Sequence, residues 1–119
     1  MSSEKTYSED QILTRLASEL PAWEYREGWL RRHYKTAGWP HTLMLVNAVG
    51  YIAEAAFHHP DLSVSYAMVN VKLMTHSAKG ITDKDFELAK KIESAVTWLP
   101  DAGSALEGFE KGFGKKWTR

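Results

Sequence analysis

The sequence predicts an α+β fold. It is a single domain ordered α-β-β-α-β-β-α, with a four-stranded antiparallel sheet and its helices packed on one face. Three observations predict it. Segments with apolar residues at 3–4 spacing alternate with pairs of short segments of period 2. Each pair is joined by a connection too short for a crossover, so the strands must form hairpins. The 119 residues and 13.5 kDa suffice for one core and not for two.

The first helix starts at Ser8. Ser8-Glu9-Asp10-Gln11 has the form of a capping box, in which the Ser hydroxyl meets an orphan amide and Gln11 reaches back. Ile12, Leu13, Leu16, Ala17 and Leu20 form its apolar stripe. Pro21 ends it, because a residue before proline is pushed out of the α region. Trp23–Thr36 reads as a hairpin turning at Glu27-Gly28. Leu30 and Tyr34 share one face, and Arg31 and His33 the other.

Gly38-Trp39-Pro40 opens the second helix, with Pro40 in the first turn, where its missing N–H costs nothing. Leu43, Val46, Asn47, Gly50, Tyr51, Glu54 and His58 recur at 3–4 spacing, and Pro60 ends the run. Met44, Leu45, Val49 and Ile52 make this helix apolar on a second side, which predicts burial against another subunit. Leu62–Tyr66 and Ala67–Thr75 read as strands. Val69, Val71 and Leu73 share one face, and Tyr66, Met68, Asn70, Lys72, Met74 and His76 the other. Thr82 caps the third helix, with Asp83 and Asp85 in its first turn. Phe86, Ala89, Ile92, Val96 and Leu99 form its stripe, and Pro100 stops it. The domain core spans about 8–99. Residues 100–119 are a C-terminal extension whose Phe109, Phe113 and Trp117 read as an arm covering apolar surface.

Composition narrows the function. Fifteen basic residues balance fifteen acidic ones, which argues against sequence-independent nucleic-acid binding. The absence of cysteine excludes disulfides, thiol nucleophiles, iron–sulfur clusters and Cys-ligated zinc. No run of about 18 apolar residues spans a membrane. Met1–Gln11 lacks the basic flank and apolar stretch of a signal peptide, so the expected location is cytoplasmic.

Chemistry concentrates in Glu54, His58, His59, Pro60, Tyr66, His76 and Asp85. Glu54 and His58 stand at i, i+4, a spacing at which a carboxylate can orient an imidazole. His59 projects elsewhere around the axis, and His76 sits where a strand runs out. A helix end and a strand end meeting in one cleft would bring together groups that titrate near neutrality, suited to acid–base catalysis. Two other readings are open on spacing. A His pair at a helix end also satisfies terminal carbonyls and the dipole. Three His and a carboxylate are also acceptable zinc ligands, although adjacent His58 and His59 diverge.

The run from Glu54 to Asp85 resembles the pterin-4a-carbinolamine dehydratase family, known in animals as a dimerization cofactor of a homeodomain transcription factor. The family pattern is an acidic residue, His-His-Pro, an aromatic, His and Asp in order. Glu54, His58-His59-Pro60, Tyr66, His76 and Asp85 stand at its spacings. The resemblance covers about 12–98 and is strongest in the middle. It implies dehydration of 4a-hydroxytetrahydrobiopterin to the quinonoid dihydropterin in tetrahydrobiopterin recycling, with no metal and no bound cofactor. It implies that His58 and His76 are the acid–base pair and that His59 positions substrate, oriented by Glu54. Pro60, Tyr66, Thr75 and Trp23 are implied around the pterin. Asp85 reads rather as a cap of the third helix than as a substrate contact. The partners implied are the pterin and other copies of the chain, as homodimer or homotetramer, with no direct nucleic-acid or membrane partner. Relatives also include transcriptional cofactors and assembly chaperones, so a non-catalytic interaction role is the alternative. A pterin of molybdenum-cofactor metabolism is the alternative substrate. Two positions depart from the family: Thr36 and Trp39 stand where phenylalanines are usual, which implies altered packing there.

Overall fold

The structure, a computed structural model, describes residues 4–107. The arm read in Phe109, Phe113 and Trp117 lies outside them. Helix α1 is Glu9–Glu19, β1 is Glu24–Arg26 and β2 is Trp29–Lys35. Helix α2 is Trp39–Ala56, β3 is Asp61–Ser65, β4 is Met68–Leu73 and α3 is Asp83–Val96. The four strands form one antiparallel sheet in the order β1-β2-β4-β3. The predicted fold class and element order are therefore the observed ones.

The core lies between the sheet and the helices. Leu30, Tyr34, Val69, Val71 and Leu73 bury one sheet face against Ile12, Leu16, Leu45, Val49, Phe86, Ala89 and Ile92. Arg31 and His33 turn to the open face, where His33 Nδ1 lies 2.6 Å from Asn70 Oδ1 across the β2–β4 ladder. Arg32 faces the core. Its guanidinium meets Glu93 of α3 at 2.9 and 3.0 Å. The same carboxylate accepts from Tyr34 Oη at 2.6 Å and Trp23 Nε1 at 2.9 Å.

Local signals set both outer helices. Ser8 and Gln11 close the capping box of α1 in both directions. Its buried stripe is narrower than its apolar one. Ile12, Leu16 and Leu20, four apart, are buried, while Leu13 and Ala17 are exposed. Thr82 and Asp85 close a second box at the start of α3. The α3 stripe ends at Val96 rather than Leu99, where Thr97 Oγ1 donates to the Glu93 carbonyl at 2.6 Å. Thr82→Ala removes the cap, and the expected loss is about 1–2 kcal/mol of unfolding free energy in chemical denaturation.

Helix α2 corrects two expectations. Thr42, Leu45, Val49 and Ala53 bury its inner side, while Leu43 and Tyr51 of the predicted stripe, and Met44 of the second apolar side, are exposed. In a helix apolar nearly all round, periodicity cannot say which side faces in. Nor does Pro60 end it. Phe57 takes left-handed φ 49° and ψ 45°, and the His58 amide donates to the Ala53 carbonyl at 3.1 Å. That five-residue closure stops the helix three positions earlier. At its other end the departures at Thr36 and Trp39 become legible. Thr36 Oγ1 lies 2.6 Å from Thr42 Oγ1, which donates to the Tyr66 carbonyl at 2.9 Å, so a hydroxyl pair fills this corner while Trp39 is exposed.

Candidate active site

The site forms where α2 and β4 both end. A cavity of about 350 Å³ is lined by Phe57, His58, His59, Met74, Thr75, His76, Ser77 and Lys84. Helix α2 delivers the His pair through the turn at Phe57. Strand β4 stops at Leu73, Thr75 bridges to Gly80, and His76–Ala78 form one turn of 3-10 helix closed by left-handed Lys79. His76 is therefore carried on a tight turn rather than on the strand end itself.

The turn at Phe57 decides which carboxylate each imidazole meets. His58 has left the helix, so the i, i+4 pairing with Glu54 does not form. Its Nε2 reaches Asp85 Oδ1 at 2.7 Å instead, and Glu54 Oε1 meets His59 Nε2 at 2.8 Å. The family-implied role of Glu54, orienting His59, fits this geometry. The spacing-based role, orienting His58, is corrected.

Asp85 is fully buried and accepts three hydrogen bonds. The donors are His58 Nε2, Thr75 Oγ1 at 2.7 Å and the Thr82 amide at 2.9 Å. Thr75 Oγ1 also lies 2.8 Å from Thr82 Oγ1. Since Thr75 donates to Asp85, Thr82 must donate to Thr75. An acceptor-only carboxylate places a proton on His58 Nε2, so that in the neutral imidazole the lone pair is on Nδ1. Asp85 is thus both the helix cap that the sequence indicates and the anchor of His58. Thr75 lines the cavity, but its hydroxyl serves Asp85.

His76 is held differently. Among the described residues its imidazole makes no side-chain hydrogen bond. It packs edge to face on Trp29, with centroids 5.6 Å apart at 77°, and Lys72 Nζ lies 4.4 Å from that indole centroid. Trp29 had no place in the sequence reading. The available signal was an aromatic on the polar face of a hairpin, directly after its turn. Lys84 and Glu4 were also missed. Glu4 pairs with Lys84 and accepts from Ser77 Oγ at 3.0 Å. The Lys84 ammonium, with Ser77, holds its carboxyl below the usual range. The segment around Glu4 is pinned nearby by the Tyr7 amide, which donates to the Ile81 carbonyl at 3.0 Å.

Four expected site residues do not line this cavity, and of these Glu54 reaches it only through its bond to His59. Tyr66 lies in the β3–β4 turn, at the other end of the hairpin from His76, with its hydroxyl against Gly38. Trp23 is a core residue, 4% exposed and bonded to Glu93. Pro60 leads into β3. Among the described residues no group of three His, Asp or Glu side chains converges as a metal ligand set. His58 and His59 are turned to carboxylates on different helices. A larger groove of about 690 Å³, between α2 and α3, adjoins the site through His58 and Lys84.

Comparison with known proteins bears on the chain as a whole rather than on single side chains. The sequence model of a family described as pterin 4 alpha carbinolamine dehydratase matches residues 5–95. A relative from Aquifex aeolicus is 43% identical over 89 residues, 75% of this chain and 89% of its own length. One from Sulfolobus acidocaldarius is 42% identical over 84 residues, 71% and 91% of the two lengths. Both are named, provisionally, as pterin-4-alpha-carbinolamine dehydratases. Among solved structures, a transcriptional coactivator/pterin dehydratase from Brucella melitensis shares the fold at a TM-score of 0.71 and 24% identity, covering 77% of this chain and 98% of its own. A pterin dehydratase-like RuBisCO assembly factor of the alpha-carboxysome does so at 0.52 and 17%, covering 70% and 89%.

Proposed function

This chain belongs to the pterin 4 alpha carbinolamine dehydratase family, and from that premise we propose that it dehydrates 4a-hydroxytetrahydrobiopterin by histidine acid–base catalysis. The observation that carries the proposal is the facing of two unlike imidazoles on one cavity. His58 is anchored by buried Asp85, and exposed His76 is held by an aromatic edge.

The reaction breaks the C4a–O bond. A protonated imidazole gives its proton to the leaving hydroxyl, which departs as water. A second group takes the proton from the ring nitrogen, whose electron pair closes the new C=N bond. The net change is substrate to quinonoid dihydropterin plus water, and the enzyme's protonation is restored. A His at each of the two positions meets both needs near neutrality. Asp85 supports this by fixing one tautomer of His58, so that Nδ1 is the working nitrogen. His59, oriented by Glu54, fits a hydrogen bond to the polar rim of the pterin. In this reading the product serves a downstream reductase, and the protein acts in the cytoplasm without direct nucleic-acid contact.

The test is a coupled assay with an aromatic amino-acid hydroxylase, following loss of the 4a-hydroxy adduct. The expected result is acceleration over the enzyme-free rate, because dehydration also proceeds unaided. The same assay with a pterin of molybdenum-cofactor metabolism separates the two substrates. No acceleration with either pterin would favour the non-catalytic role represented by the assembly factor of similar fold.

Other copies of the chain are the second partner in this reading. Outward-facing Leu43 and Met44 are 41% and 40% exposed, and Tyr51 is 77% exposed, so one side of α2 offers apolar surface. The expected mass by light scattering is two or four times 13.5 kDa; a monomer refutes the assembly.

A further inference from the structure

Phe57 is the residue whose chemistry and backbone agree least. It ends α2 at φ 49° and ψ 45°, in the left-handed region. Glycine and asparagine are the usual occupants there, because a larger side chain places Cβ against the following carbonyl. The ring offsets none of this by core packing, since Phe57 is 80% exposed.

What the ring does touch is the site. It lines the cavity beside the three His and meets the His59 imidazole edge to face, with centroids 5.4 Å apart at 81°. Strain retained in an exposed apolar residue, one position before the first His, fits a residue kept for what it contacts. A pterin has a polar rim and two flat apolar faces. Imidazoles and carboxylates address the rim. A face needs an apolar wall, and besides Phe57 the purely apolar lining is Met74.

We propose that Phe57 is a substrate-contacting residue that supplies the apolar wall for one face of the pterin ring, held in place by its left-handed backbone at the end of α2. The role rests on the dehydratase reading above. It makes stability and affinity respond in opposite directions, which a purely structural residue does not do.

The test compares Phe57→Asn with Phe57→Tyr in the full chain. Asparagine accepts the left-handed backbone and removes the ring. The expected result is a rise in Tm of about 4 °C. Alongside it, the Kd for 7,8-dihydrobiopterin and the KM rise about tenfold, with kcat little changed. Tyrosine retains the ring and keeps wild-type Kd and Tm. Wild-type affinity in Phe57→Asn overturns the proposal. A lower assembly mass at unchanged Kd also overturns it, and assigns the ring to a subunit contact. If the wild-type chain neither binds this pterin nor accelerates dehydration, the dehydratase reading itself fails, and the wall with it. The Tm rise in Phe57→Asn would then persist, marking strain alone.

Discussion

His76→Ala is expected to lower kcat by about 10²–10⁴-fold, the usual contribution of a positioned acid or base, with Tm unchanged. The two halves of that result have separate causes. His76 is exposed and, among the described residues, its ring makes no side-chain hydrogen bond, so its removal leaves no buried partner unsatisfied. Any loss of rate then reports chemistry rather than folding. His58→Ala should lower kcat to a similar extent but also destabilise. It strips one of three donors from Asp85, which is fully buried. An under-satisfied buried acceptor costs about 1–3 kcal/mol. Steady-state rates measured beside thermal melts separate the two effects. Near-wild-type rates in both variants, with pterin still bound, would remove the acid–base pair from the mechanism.

The largest stability effect is expected far from the cavity, at Glu93. Its carboxylate joins α3 to the sheet through Arg32, Tyr34 and Trp23. Arg32 is only 10% exposed at its side chain, and its guanidinium also lies 4.1 Å from the Tyr34 ring centroid. Glu93→Ala leaves that cation, a phenol and an indole N–H without their acceptor. The expected loss is about 3 kcal/mol, because a mostly buried charge stripped of its partner is costly. That corresponds to a fall in Tm of about 10 °C or more in a domain of this size. Glu93→Gln should fall between, since an amide oxygen still accepts. A Tm within about 2 °C of wild type for Glu93→Ala would show that solvent replaces the bonds.

Acid adds a second signature. Burial acts to raise the Glu93 pKa, but donation from Arg32, Tyr34 and Trp23 outweighs it and leaves the group below its ordinary 4.5. A carboxyl depressed in the folded state contributes stability that is present above 4.5 and lost as pH falls through its folded value. Glu93→Gln removes that contribution, so its stability should decline less steeply than wild type on acidification below 4.5. The limb will not flatten completely. Glu19, held at about 2 chiefly by the Arg15 guanidinium, loses its contribution over the same range. Burial likewise pushes the Tyr34 hydroxyl well up, reinforced by Glu93, so it stays protonated and donating throughout.

Local chemistry explains how much of this was legible in the chain. The Ser8–Gln11 and Thr82–Asp85 boxes each lie within four residues, so their residue types suffice to place two helix starts. Val69, Val71 and Leu73 alternate, and all three are buried, because a strand with one covered face has only one workable register. Helix α2 resisted the same treatment. Its apolar residues leave no polar side to mark solvent, and only packing against the sheet and α3 selects Thr42, Leu45, Val49 and Ala53 as the inner face. Trp23 and Trp29 show the limit for single residues. Both are aromatics of the first hairpin, and only the pairing of β2 with β4 sets Trp29 rather than Trp23 beside His76.

The order of elements, the two caps, and the set of His and acidic residues with its family likeness are all written in the chain, because they follow from residue type and spacing along it. Tertiary structure decided which carboxylate holds which imidazole. Spacing offered Glu54 to His58, but the left-handed turn at Phe57 lifts His58 off the helix and toward α3. There Asp85, 27 residues downstream, is already ordered by Thr75 and Thr82. A contact of that reach depends on how two helices pack, and no local pattern encodes it.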